Sequence, residues 1–177
     1  MESNPPRLLV VHHSPTASSR ALTDAALTGT RLPELAELGP LEVVVREALE
    51  ATADDVRGAN GLLLGTPANF GYMSGALKHF FDSTFLHLGG ALGSDGQGSE
   101  GQGDGAAATG AKLPYALWVH GRYDTVGATR SVESIAQALP WRRVLPPLEL
   151  LGDVDDDARA AATELGATVA AMTLESR

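Results

Sequence analysis

Two stretches of the chain concentrate side chains that can bind or react. The first, His13-Ser14-Pro15-Thr16-Ala17-Ser18-Ser19, follows an apolar run and leads into a helix-like pattern. Hydroxyls and unpaired backbone N–H groups at a helix start can hold a phosphate, and the helix dipole carries enough of the charge that no lysine is needed. The same residues also make an ordinary hydroxyl-rich helix cap, and this loop taken by itself fits both descriptions equally. The second stretch is Thr66-Pro67-Ala68-Asn69-Phe70-Gly71-Tyr72-Met73-Ser74-Gly75. Pro67 stiffens it, Gly71 lets backbone approach a ligand closely, and Phe70 and Tyr72 offer flat apolar surfaces. A third group, His120, Gly121 and Tyr123, follows another apolar run.

What the chain lacks narrows the chemistry. Without cysteine there is no disulfide, thiolate metal site or thiol nucleophile. His12 and His13 are adjacent, so on an extended chain they point to opposite sides and suit joint metal binding poorly; no metal site is expected. His79 and His87 lie two helical turns apart, as surface or helix-end residues do. His120 suits a structural role as well as a functional one. Gly71-Tyr-Met-Ser74-Gly75 has the wrong spacing for a hydrolase nucleophile elbow. The P-loop pattern is absent, and the acidic residues a phosphate-accepting receiver domain needs after its first and third strands are replaced by His-His and Thr-Pro.

These residues must be positioned by elements legible as hydrophobic pattern. Apolar runs at Leu8–Val11, Leu41–Val45, Gly61–Gly65, Tyr115–Val119 and Val144–Leu150 alternate with helix-like stretches, the signature of an α/β domain with a parallel sheet. The second run carries Glu42 and Arg46, as an edge strand does, whereas Gly61–Gly65 is almost wholly apolar and belongs at the sheet centre. Pro146 and Pro147 confine the last run to an edge. Leu22, Ala26 and Gly29 mark the first helix, with Ser18 or Ser19 placed to cap it, and Thr52 opens a short acidic turn. Met73, Leu77, Phe80, Phe81 and Phe85 form a helical stripe, read as a buried face rather than a cofactor box. Val132, Ile135, Ala136 and Leu139 mark a further helix, and the last begins at Asp155–Asp157 and buries Leu165, Val169 and Met172. Ligands of such sheets bind beyond the carboxyl ends of the strands, where these loops fall.

Taken together, Ser14-x-Thr16-x-x-Ser19 and Gly65-Thr66-Pro67 through Asn69-Phe70-Gly71-x-Met73-Ser74-Gly75-x-Leu77-Lys78, with Phe81-Asp82 beyond, resemble the flavodoxin-like flavoproteins. The branch they look most like is the FMN-dependent NAD(P)H and quinone oxidoreductases. The resemblance covers nearly the whole chain and implies a single flavodoxin-like three-layer α/β sandwich over residues 1–177, with a five-stranded parallel sheet in order 2-1-3-4-5 and helices on both faces. It also implies bound FMN, with NADH or NADPH as co-substrate and a quinone or similar small molecule as acceptor. Ser14, Thr16, Ala17, Ser18 and Ser19 would cradle the FMN phosphate. Pro67, Ala68, Asn69, Phe70 and Gly71 would run along the flavin ring, with His120, Gly121 and Tyr123 on its other side. No residue need act as a covalent nucleophile, so no catalytic side chain is assigned. A flavodoxin-type single-electron carrier, and a protein that has kept the fold but lost FMN, are the alternatives. Flavodoxins commonly have glycine where Ala17 stands, so a backbone needing positive φ there would force a different loop shape. The loop Gly121–Val126 is short for the reductase branch. A homodimer or homotetramer is implied by resemblance.

Composition agrees. The 177 residues carry 13 basic against 22 acidic side chains, a formal charge of −9, which opposes nucleic-acid binding. Residues 89–111 are read as a flexible Gly-rich insertion, since nine of the 20 glycines fall there; the dinucleotide-like Gly96–Gly101 spacing within it follows no strand and is read as chance. No apolar run is long enough to span a membrane and no secretory leader is apparent, so a cytoplasmic protein is expected.

Overall fold

The computed structural model describes residues 4–92, 98–99 and 112–176. In chain order the elements are β1 (Arg7–His12), α1 (Ala17–Gly29), α2 (Pro33–Ala36), β2 (Glu42–Glu47), α3 (Ala53–Arg57), β3 (Gly61–Asn69), β4 (Tyr72–Met73), α4 (Gly75–Thr84) with a 3-10 turn over Phe85–Leu88, β5 (Ala91–Leu92), β6 (Gly98–Ser99), β7 (Leu113–Gly121), α5 (Val126–Gln137), β8 (Trp141–Arg143), β9 (Leu148–Leu151) and α6 (Asp156–Glu175).

Parallel pairing orders the strands β2-β1-β3-β7, with β8 and β9 both on the outer side of β7 and β4 turned back on β3. This is the expected 2-1-3-4-5 order with its fifth strand broken. Val144–Leu150 was expected as one edge segment. Instead Trp141–Arg143 pair with Leu113–Tyr115, Leu148–Leu151 pair with Trp118–Gly121, and Pro146 and Pro147 fall in the break. Proline cannot donate to a ladder, so the chain bulges away there and rejoins β7.

Because side chains alternate across a strand, each face of the sheet builds its own core. Leu9, Val11, Leu62, Leu64, Leu117 and Val119 meet Leu77, Phe80 and Phe81 of α4 and Val132 of α5. The aromatic stripe is therefore a buried face, each ring contributing roughly 1.5–3 kcal/mol. Leu8, Val10, Leu63, Ala116 and Trp118 meet α1 and α6. α1 and α6 cross at glycines: a Cβ on Gly29 would lie 1.9 Å from the Thr163 carbonyl oxygen, and one on Gly166 would lie 2.0 Å from that of Ala26. On the same face the Trp118 indole occupies the space where Gly65 has no side chain, 2.3 Å from the position of a Cβ.

Helix ends refine the reading of the sequence. α1 starts two residues earlier than a Ser18 cap, and three earlier than a Ser19 cap, would place it: Thr16 is the cap, and Ser19 closes the box from the third helical position. Thr52 and Asp55 form the same box at α3. Asp155 caps α6, whose interior stripe runs through Leu165, Val169 and Thr173; Met172 is only half-buried. Of the Gly-rich stretch, residues 93–97 and 100–111 lie outside the described residues, and with them most of the Gly96–Gly101 pattern. Among the described residues no helix is long and apolar enough to cross a membrane.

Candidate functional site

The loop after β1 is tied to the sheet at its base, where His13 N donates to the Gly65 carbonyl at 3.0 Å. Its polar groups divide into two sets. Ser14, Thr16 and Ser19 are engaged within the protein. Ser14 Oγ lies 2.7 Å from Thr23 Oγ1 and 2.9 Å from His12 Nδ1. Thr16 Oγ1 accepts from Ser19 N at 3.1 Å, and Ser19 Oγ accepts from Thr16 N at 3.0 Å. The outward set is Ala17 and Ser18, the first two helical residues, whose N–H groups have no acceptor inside the helix. Among the described residues the Ser18 hydroxyl has no partner in the hydrogen-bond network. Ala17 lies in the helix, and the one non-glycine residue with positive φ among the described residues is Phe70. Position 17 thus does not demand glycine. Arg20, one turn in, donates to the Pro15 carbonyl at 2.9 Å and lays a cation along the outer side of the loop.

The second stretch is a hairpin, which the sequence reading missed. Ala68 pairs with Met73 and Asn69 with Tyr72, leaving Phe70 (φ 52°) and Gly71 (φ 77°) as a two-residue turn with both residues left-handed. That is the type I′ turn that matches strand twist; its usual first residue is Asn, Asp or Gly. A phenylalanine in this conformation is strained, and its ring is fully exposed, at 109% of its reference area. The base of the hairpin is fixed by the buried Thr66 hydroxyl, which accepts from Ser74 N at 3.0 Å, while Ser74 Oγ caps α4 through Leu77 N. Pro67 is buried at the base, Ala68 half-buried, and Asn69 exposed.

The strand end of β7 meets this hairpin. Gly121 admits no Cβ, which would lie 2.7 Å from the Asp124 carbonyl, and α5 begins at Val126, making the loop as short as expected. Asp124 and Gly127 pack under Gly71: a Cβ on Gly127 would lie 2.1 Å from the Gly71 carbonyl. Tyr123 is 88% exposed, and Phe70, Tyr72, Val126 and Leu151 are exposed apolar side chains on neighbouring loops and strand ends. His120 is half-buried, and its Nε2 donates to the Gly152 carbonyl at 2.8 Å, tying it to the turn after β9. Arg20, Thr23 and Gly127 escaped sequence reading, since each matters only through a contact distant along the chain or across a helical turn.

Charge is sparse. Glu47, at the end of β2, lies 3.8 Å from Nδ1 of both His12 and His13. Burial keeps His12 below the ordinary imidazole pKa; Glu47 opposes this, His13 adds to it and Asp24 opposes it. No group of three or more His, Asp or Glu among the described residues is placed to hold a metal.

A flavodoxin of Aquifex aeolicus is 31% identical over 86 residues, 49% of this chain and 44% of that protein, so the chain spans less than half the length of that relative. A NAD(P)H dehydrogenase (quinone) of Archaeoglobus fulgidus is 30% identical over 139 residues, covering 65% of this chain and 73% of that protein. In fold the chain is similar to a flavodoxin from the domain Archaea, with a TM-score of 0.69 over 96% of this chain and 99% of that one at 15% identity. No protein-family model matches the chain.

Proposed function

Because the chain belongs to the flavodoxin-like flavoprotein family, we propose that it binds FMN and acts as an oxidoreductase between NADH or NADPH and a quinone or similar small acceptor. The observation that carries this is the juxtaposition of two unlike surfaces on adjacent strands: outward N–H groups at α1, after β1, and an exposed aromatic hairpin tip after β3. The donor set fits. Neutral N–H groups at the head of a 13-residue helix suit a phosphate monoester, and flat side chains beside a glycine suit a planar ring. Bound FMN would supply hydride acceptance and donation.

The residues divide the work. Ala17 and Ser18 would present N–H groups, and Ser18 its hydroxyl, to the phosphate. Thr16, Ser19 and Ser14 hold the loop in shape. Pro67 through Gly71 would lie along one side of the ring, with backbone N–H groups from the residues after Pro67 toward its polar edge, where negative charge accumulates on reduction. Gly121 and Tyr123 would close the other side, while His120 holds the turn after β9. Since Phe70 strains its turn, Phe70→Asn should raise stability by about 1 kcal/mol, because asparagine tolerates left-handed backbone. The same change should weaken FMN binding by about tenfold through loss of a stacking ring. Thermal melts of the apoprotein and FMN titration would show the opposed signs; a variant that melts lower overturns the strain at Phe70, and one that binds FMN equally well removes Phe70 from the site.

The deciding experiment is to add FMN to purified protein, look for a bound yellow chromophore, and then add NADH or NADPH anaerobically. Retained colour that bleaches is the expected result. No FMN binding would sink the proposal. Retained colour that neither nicotinamide bleaches would assign a single-electron carrier, the reading favoured by the Aquifex flavodoxin match.

A further inference from the structure

His12 ends β1 on the face covered by α1 and α6, following Leu8 and Val10. Its Nδ1 begins a chain of hydrogen bonds into the phosphate loop: 2.9 Å to Ser14 Oγ, 2.7 Å on to Thr23 Oγ1, and 3.2 Å from Thr23 Oγ1 to the Ser19 carbonyl. Each hydroxyl has one proton to give. With Thr23 giving its proton to the Ser19 carbonyl, Ser14 gives its own to Thr23, and the tautomer that completes the chain is the one in which His12 Nδ1–H donates to Ser14. The proton that comes and goes on His12 is therefore at Nε2, and Ser14 has no proton left for a ligand.

Glu47 makes this arrangement consequential. It is the register partner of His12 on β2, and its carboxylate faces both histidines at 3.8 Å. A carboxylate beside the loop opposes any phosphate held there, and the Arg20 cation lies on the loop's outer side, bonded to the Pro15 carbonyl. The remaining groups around His12 are His13, Asp24 on α1, Gly65 on β3, and the interior face of α6, whose buried residues carry no charge.

We propose that His12 is a positioning residue that couples phosphate binding to proton uptake: it is neutral in the free protein and takes a proton at Nε2 when the loop holds a phosphate monoester, offsetting Glu47 while keeping its bond to Ser14. This rests on the FMN reading above. By linkage, the phosphate raises the affinity of His12 for a proton, and affinity for FMN rises as pH falls toward the His12 range.

The test is the dissociation constant of FMN, read by fluorescence quenching between about pH 6.5 and 8.5, above the phosphate's own ionisation near 6. One unit of His12 shift is worth at most about tenfold and is complete only below the free His12 range; because burial holds that range below the ordinary imidazole value, binding at pH 6.5 should be about two- to fivefold stronger than at pH 8.5. His12→Asn keeps a donor for Ser14 without a charge, so it should bind weakly with a flat profile. Glu47→Gln, at a half-exposed site, should bind several-fold more tightly than wild type at the alkaline end. Riboflavin, which lacks the phosphate, should show no slope in any of the three. Calorimetry in two buffers of different ionisation enthalpy should register proton uptake with wild type and none with His12→Asn. A slope that survives in His12→Asn, or one shared by riboflavin, overturns the coupling while leaving FMN binding intact. Failure of all three proteins to bind FMN at any pH overturns the FMN reading, and the coupling with it.

Discussion

Ala17→Glu should weaken FMN binding by about a hundredfold or more while leaving the melting temperature unchanged or slightly raised. Ala17 is the first residue of α1 and is exposed. A carboxylate there favours the helix by about 0.3–1 kcal/mol, because it sits at the positive end of the dipole. It also occupies the ground a phosphate would take. Two like charges about 4 Å apart repel by about 4 kcal/mol at an effective dielectric constant of 20, a figure that solvent at this exposed position reduces. Ala17→Gln, similar in size and uncharged, separates repulsion from bulk and should lose far less. The measurements are thermal melts of apoprotein and FMN titrations at low and moderate salt, with the deficit of Ala17→Glu shrinking as salt rises. Unaltered FMN affinity in Ala17→Glu would place the phosphate elsewhere.

Gly166→Leu should destabilise the fold by about 3 kcal/mol or more, the largest effect expected of a single substitution here. A Cβ at position 166 would lie 2.0 Å from the Ala26 carbonyl oxygen and 3.0 Å from the Ala26 Cα, so the collision is with helix backbone, which cannot swing aside. α1 and α6 would have to separate, opening the core around Leu22, Ala162 and Val169. Even Gly166→Ala should destabilise, although alanine gains about 1 kcal/mol over glycine in helix propensity. That reversal of sign is the sharper observation. Gly75→Ala is the control: it opens α4, nothing lies within 4 Å of the added Cβ, and no loss is expected. Urea unfolding of the three variants would read the differences. A stabilised Gly166→Ala would mean that the two helices are free to move apart.

Both substitutions act at α1, and they show which parts of the molecule are written in local pattern. Leu8–Val11 and Gly61–Gly65 are legible as buried strands because apolar runs bounded by turn residues have few other uses. The face of α4 is legible because Leu77, Phe80 and Phe81 recur at helical spacing. Illegible were features that depend on partners brought from elsewhere. Thr16 is recognised as the cap only when its oxygen is seen to accept from Ser19 N, and the β3–β4 hairpin was hidden because Phe-Gly is a poor advertisement for a turn usually made by Asn-Gly. The broken fifth strand was half-visible: Pro146 and Pro147 announced an edge, but not that β7 would pair on either side of them.

By itself the sequence determined the alternation of strands and helices, the central place of β3, the position of the loops that follow β1, β3 and β7, and the absence of thiol chemistry, because hydrophobic period and residue type are local properties. Only the tertiary structure decided which hydroxyls are committed inward and which face out, that Phe70 stands strained at a hairpin tip, and that Glu47 comes to lie between His12 and His13. Each of those depends on where atoms from β1, β2, β3 and α1 meet, and the distances that set hydrogen bonds and charge coupling exist only once the chain has folded.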